Sequence, residues 1–248
     1  SPAGGRSHRP LRRYPAPEQL PPGSWLMPMA ACAAVTSDGD LPALRALDAN
    51  DSQQAWDGLQ RISHLLLEAG LRCFAHGVMP ELHGQNVLLV IAPTENGPGL
   101  HGLVLRDHDT LRICPALMAD AGVPAPDYAI DRSTPNTLIL DAPDALLAYL
   151  QTLGIGVNLF AMAVAIADAY GADENIGWRI VRERIDALLR EGVIARPHVA
   201  AIARHALLEA DTWPFKQVLA PLLAREAIGT GMPSAMGRLP NPLRQPEP

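Results

Sequence analysis

The chain has 248 residues, a formal net charge of −6 and a pI near 5.7, which argues against a general nucleic-acid binder. Hydrophobic residues at 48% and charged residues at 19% supply a sizeable core and exclude wholesale disorder, while aromatics at 4% are too sparse for base-stacking platforms. The three cysteines, Cys32, Cys73 and Cys114, are scattered and form no CxxC. They argue against a disulfide scaffold, a zinc site or an iron–sulfur cluster, and read as buried thiols of a reducing cytoplasm.

Residues 1–24, "SPAGGRSHRPLRRYPAPEQLPPG" and Ser24, are rich in Pro, Gly and Arg and read as a linker or extended arm, with the basic run 6–13 a solvated tail. The chain opens on Ser1 with no leader pattern, so we expect a piece of a longer protein. "WLMPMAACAAV" (25–35) reads as a buried strand or short helix. Asp51 is placed to cap a helix carrying Trp56, Leu59, Ile62 and Leu66 on one face, ended by Gly70 or Gly77. A strand over 87–92, a turn "PTENGPG" (93–99) and a returning strand over 101–107 predict a β-hairpin.

Beyond Asp141 the pattern turns helical, with candidate helices over 143–152, 156–170, 174–191, 197–209 and 214–226. "LFAMAVAIADAY" (159–170) comes closest to a membrane span, yet no stretch gives about eighteen consecutive apolar residues, so it reads as a buried helix. The GxG of "LGIGVN" (153–158) lacks a strand-to-helix setting and reads as a helix junction. The expected class is α+β: a mostly antiparallel sheet over 25–141, then a helical bundle over 142–248 packed on it.

The segment "PELHGQNVLLVI" (80–91) sets polar groups at the mouth of a buried strand. The hairpin brings Asn86, at the start of one strand, to the same end as Asp107, at the finish of the other. Asn86 offers an amide oxygen, Asp107 a carboxylate, and Glu81 a second carboxylate. Few hard oxygen ligands beside open space suit Mg²⁺, which keeps some waters and takes its other ligands from phosphate. His83, Arg106 and Arg112 could meet phosphates or a substrate carboxylate and stabilise charge developing in phosphoryl or nucleotidyl transfer. The bland alternative is a turn that satisfies its own backbone, beside a local Arg106–Asp107 ion pair. His64, His76, His108, His198 and His205 form no HExxH or similar pair and read as surface or core residues.

"E-x-H-G-Q-N-V-L-L" (81–89), then "L-R-D" (105–107) and a trailing "R-I" (112–113), resembles the siderophore synthetases that work independently of peptide synthetases, of the aerobactin-synthetase type. Gly77 before the motif, Asn158-Leu159, "WPFKQVLAPLL" with Lys216, and "NPL" (241–243) are similar at a coarser level. The resemblance implies the palm and thumb of a three-part, hand-like fold, as the C-terminal portion of a homodimeric cytoplasmic enzyme of iron acquisition. It implies ATP and Mg²⁺ as cofactors. One carboxylate of citrate or a related dicarboxylate would be adenylated. A polyamine, hydroxylated amine or amino-alcohol would then attack the acyl adenylate.

By match to the motif, Glu81, Asn86 and Asp107 would hold Mg²⁺. His83 and Gln85 would contact the nucleotide phosphates and the carboxylate, and Lys216 would lie near the acceptor. Leu82 stands where the family has a small residue. The family's Ser-x-Arg-Thr phosphate-binding segment has no counterpart here, "RSHRP" (6–10) and "RSTP" (132–135) being poor substitutes. The isolated chain is therefore expected to lack competence, since orientation needs both walls of a site.

Two other readings stay open. A kinase-like small-molecule phosphotransferase would need an acid where Gln85 stands. A non-catalytic iron-uptake module would show no turnover, and a ferric reductase-like domain would need a cysteine cluster.

Overall fold

The computed structural model describes residues 15–107, 111–128, 138–217, 223 and 235–244. The basic run 6–13 and "RSTP" (132–135) lie outside them. After a 3₁₀ turn at Pro17–Gln19, strand β1 (Trp25–Pro28) runs straight into a second 3₁₀ turn, Met29–Ala33. The two alternatives read from this segment are thus both realised, in succession. Helix α1 (Pro42–Arg45) precedes the long helix α2 (Ser52–Ala75).

Asp51 caps α2 as its position predicts: its carboxylate accepts from the Gln54 amide, 2.8 Å away. Trp56, Leu59, Ile62 and Leu66 all face the core, each at most 5% exposed. The helix ends at His76, and Gly77 turns the chain with φ of +76°.

Strands β2 (Val78–Met79), β3 (Val87–Thr94), β4 (Gly97–Leu105) and β5 (Arg112–Ile113) follow, then α3 (Pro115–Asp120). The hairpin β3–β4 is longer than the sequence suggested. The ladder runs through Pro93 opposite Pro98, leaving Glu95 and Asn96 as its turn. β1 adds to the other side of β3, so the three-stranded order is β1-β3-β4, all antiparallel; β2 pairs with β5 separately. Val87, Leu89 and Ile91 join the main core beneath α2.

The two helices expected over 143–152 and 156–170 are one continuous 28-residue helix, Pro143–Tyr170. Helix α4 (Pro143–Tyr149) widens into a π-helical stretch, Leu150–Leu159, which closes back into α5 (Phe160–Tyr170). Gly154 and Gly156 suggested a break; Gly154 instead makes room for the Leu150 side chain of the preceding turn, which an added Cβ would meet at 2.9 Å. By length and hydropathy this helix would pass for a membrane span, but 61% of its apolar window is buried inside the protein. It packs on α2 and on the second 3₁₀ turn.

α6 (Asn175–Arg190) and α7 (Pro197–Arg204), prolonged by a π turn at His205–Glu209, follow. Of the helix expected over 214–226, the stretch 214–217 is corrected; Leu223, also described, is helical, and the rest lies outside the described residues. Thr212–Gln217 is strand β6, paired antiparallel with β7 (Ala235–Pro240). Its partner lies about twenty residues downstream, and "WPF" carries the aromatic preference for a pleated surface. One hydrophobic cluster, from Met27 to Leu243, joins sheet and helices into an α+β fold.

Candidate functional site

The turn before β3 is built from all sides. The His83 carbonyl accepts from the Asn86 amide at 2.8 Å and the Val87 amide at 3.2 Å. Gly84 sits so close to the Met29–Ala33 turn that an added Cβ would fall 2.7 Å from the Ala30 nitrogen and 2.7 Å from Asn158 Oδ1. Its carbonyl accepts from the Ala30 amide at 3.1 Å. From the π-helical stretch, buried Asn158 donates through Nδ2 to the Leu82 carbonyl, 2.6 Å away. Leu82 itself is 1% exposed and packs toward Gly70 and Gly154, which explains a large apolar residue at this position. Two separate elements, the Met29–Ala33 turn and the π-helical stretch, thus hold the turn's backbone.

The polar side chains then follow. The Gln85 amide donates to His83 Nδ1 at 3.3 Å, which puts the imidazole proton on Nε2. His83 is half-buried and Gln85 exposed. Asn86 is 3% exposed, and its Oδ1 is buried with no hydrogen-bond partner. Arg106 lies directly across from it: the Arg106 amide donates to the Asn86 carbonyl at 3.0 Å, continuing the ladder beyond Val87 and Leu105. Cross-strand neighbours share a sheet face, so Asn86 and the Arg106 guanidinium lie on one side. Arg106 Nε is likewise buried without an acceptor. Asp107, one residue further, turns the chain with φ of +61°, a left-handed conformation that aspartate tolerates.

Glu81 is committed on one side. Its Oε1 accepts from Arg112, 2.7 Å away, and the Arg112 guanidinium carbon lies 3.8 Å from the centre of the Tyr149 ring. Arg112 is 7% exposed, so a buried cation is matched by a carboxylate and an aromatic face. Tyr149 escaped the sequence reading, because a lone tyrosine on a helix carries no local signal. Lys216 lies on β6 opposite Met236, and His108 lies outside the described residues.

The donors fit a hard, sparsely ligated cation. The orphaned Asn86 oxygen has no donor among the described residues, and Glu81 keeps an oxygen free of any described hydrogen bond. Among the described residues no three His, Cys, Asp or Glu side chains gather as a metal cage. Those residues therefore form no closed zinc-type cluster. Two cavities of about 350 and 280 Å³ lie elsewhere, between Arg61, Leu100 and Arg184 and beside Asp40 and Tyr170; none of the expected site residues lines them.

The fold and this turn define the class: a mixed helix and antiparallel-sheet unit like a part of solved siderophore synthetases. The petrobactin biosynthesis protein AsbB of Bacillus anthracis superposes with a TM-score of 0.68 at 20% identity, covering 91% of this chain and 36% of that one. Aerobactin synthetase IucC of Klebsiella pneumoniae gives 0.61 at 18%, covering 92% and 38%. ATP-bound aerobactin synthetase IucA of the same species gives 0.60 at 18%, covering 88% and 37%. In sequence, the chain is 35% identical over 246 residues to staphyloferrin B synthase of Staphylococcus aureus (strain NCTC 8325 / PS 47), matching 94% of this chain but 39% of that protein.

The family model described as "Ferric iron reductase FhuF-like transporter" matches residues 56–229, and the chain belongs to that FhuF-like family. The likeness to siderophore synthetases expected from the motifs is thereby found. The chain spans under two fifths of the length of these relatives. The reductase in the family's description would need cysteine ligands for a cluster. This chain has three cysteines, with Cys32 and Cys114 buried and free.

Proposed function

We propose that this chain is the C-terminal portion of an ATP- and Mg²⁺-dependent siderophore synthetase that adenylates a carboxylate of citrate or a related dicarboxylate and passes it to an amine or alcohol. The observation that carries this reading is the buried, unpartnered Asn86 oxygen at the end of the hairpin, set in the Glu81–Asn86 motif. The ATP-bound neighbour and the synthetases among the relatives support it.

In this reading Glu81, Asn86 and Asp107 would hold Mg²⁺, which would supply positive charge to the nucleotide phosphates. His83, protonated on Nε2, donates to a phosphate oxygen as charge builds there. Arg106 presents a guanidinium with no carboxylate partner among the described residues, and fits the same phosphates or the incoming carboxylate. Gln85, exposed beside them, contacts the nucleotide. A citrate carboxylate oxygen attacks the α-phosphorus and pyrophosphate leaves. The nitrogen or oxygen of the acceptor then attacks the acyl carbon, AMP leaves, and the acceptor proton passes to a base. Lys216 would lie near that acceptor. The polypeptide extended to its relatives' length is a cytoplasmic homodimer, and the extension supplies the second wall of the site.

Product analysis tests the reading. The extended enzyme, given ATP, Mg²⁺, citrate and hydroxylamine, should yield AMP and pyrophosphate. ADP with phosphate transfer to the acceptor would replace the synthetase with a phosphotransferase.

A further inference from the structure

We propose that Arg112 and Tyr149 are positioning residues for the metal ligand Glu81; the inference rests on the metal reading above. Arg112 stands opposite Met79 in the β2–β5 pair, so backbone register fixes its distance to Glu81, two residues beyond Met79. Its guanidinium takes one carboxylate oxygen, Oε1, at 2.7 Å and leaves the other without a described protein partner. Tyr149, the last residue of α4, sets its ring centre 3.8 Å from the guanidinium carbon, where the helix begins to widen.

A carboxylate clamped through one oxygen presents the other in a fixed direction. An unclamped one must lose rotamer freedom when it binds a cation. Arg112 brings positive charge near a cation, which by itself disfavours metal. Its benefit is therefore geometric, and depends on the planar fork and on the ring that stacks it. A plain structural ion pair would show no metal dependence, and this separates the two roles.

Mn²⁺ serves as the probe, its free signal followed by electron paramagnetic resonance as it is titrated into the folded 248-residue chain. Arg112→Lys and Tyr149→Leu should each weaken Mn²⁺ binding by roughly ten- to a hundredfold, the usual effect of losing an outer-shell partner. Tyr149→Phe keeps the ring and should bind as the parent does. Should Tyr149→Leu fail to fold, Arg112→Lys decides alone. Parent-like Mn²⁺ affinity in Arg112→Lys and folded Tyr149→Leu, with weakened binding in Asp107→Asn, would overturn the positioning role and leave the metal site standing. Parent-like affinity in Asp107→Asn would remove the metal site and this inference with it.

Discussion

His83 concentrates the chemical claim in one side chain. The Gln85 amide fixes its tautomer, so Nε2–H is the group it can offer to a phosphate. Losing one such donor costs roughly a hundred- to a thousandfold in rate, whereas replacing an ordinary turn histidine changes stability by about 1 kcal/mol. We expect His83→Ala in the extended enzyme to stay folded and to lose citrate-dependent pyrophosphate release by at least about a hundredfold. Near-parent release from the folded variant would make His83 a structural residue. Cys32 makes a separate point. Burial pushes its thiol from 9.0 up to about 12. The folded state thus holds a proton that the unfolded state releases as pH rises past 9.0, so this contribution to stability is complete below 9.0 and shrinks above it. Urea melts should show the parent losing stability above pH 9.0 more steeply than Cys32→Ala. Equal slopes would show that the thiol is not held protonated by the fold.

At the scale of elements, the turn owes its shape to neighbours far along the chain. Asn158 reaches Leu82 across 76 residues, and Gly84 leaves no room for a methyl against Ala30. Gly84→Ala should therefore overpack this contact and cost about 1–3 kcal/mol, lowering the melting temperature by several degrees. An unchanged melting temperature would mean the turn is looser than the contacts imply. The same distance explains what the sequence disclosed. The Asp51 cap, the α2 stripe and the hairpin are local patterns of three or four residues, or of two, and were legible. So was the grouping of Glu81, His83 and Asn86, which one turn holds together. The pairing of Glu81 with Arg112 was not legible, because Arg112 comes from strand β5 and the ring it packs on, Tyr149, from a helix. Strand β6 was misread because its preference for extended structure is realised only through pairing with β7. The π-helical join was missed because Gly154 and Gly156 mimic a break, while Gly154 makes room for the Leu150 side chain.

For the whole molecule, one core unites the hairpin sheet with the long helix Pro143–Tyr170, and this holds the turn and the hairpin end in register. The site nevertheless lies outside the two cavities of about 350 and 280 Å³, and the chain matches only 36–39% of its relatives' length. A synthetase must position nucleotide and acid from both sides, since orientation alone supplies about 7–11 kcal/mol of the barrier. In the proposed function this chain carries one wall of an acyl-adenylating site. The direct measurement is citrate- and ATP-dependent hydroxamate formation with hydroxylamine, made on the 248-residue chain and on the same chain joined to the remaining length of its relatives. The account predicts little or no hydroxamate from the chain alone, and robust formation, abolished by Asp107→Asn, from the extended protein. Robust turnover by the 248 residues alone, or an extended protein indifferent to Asp107→Asn, would contradict it.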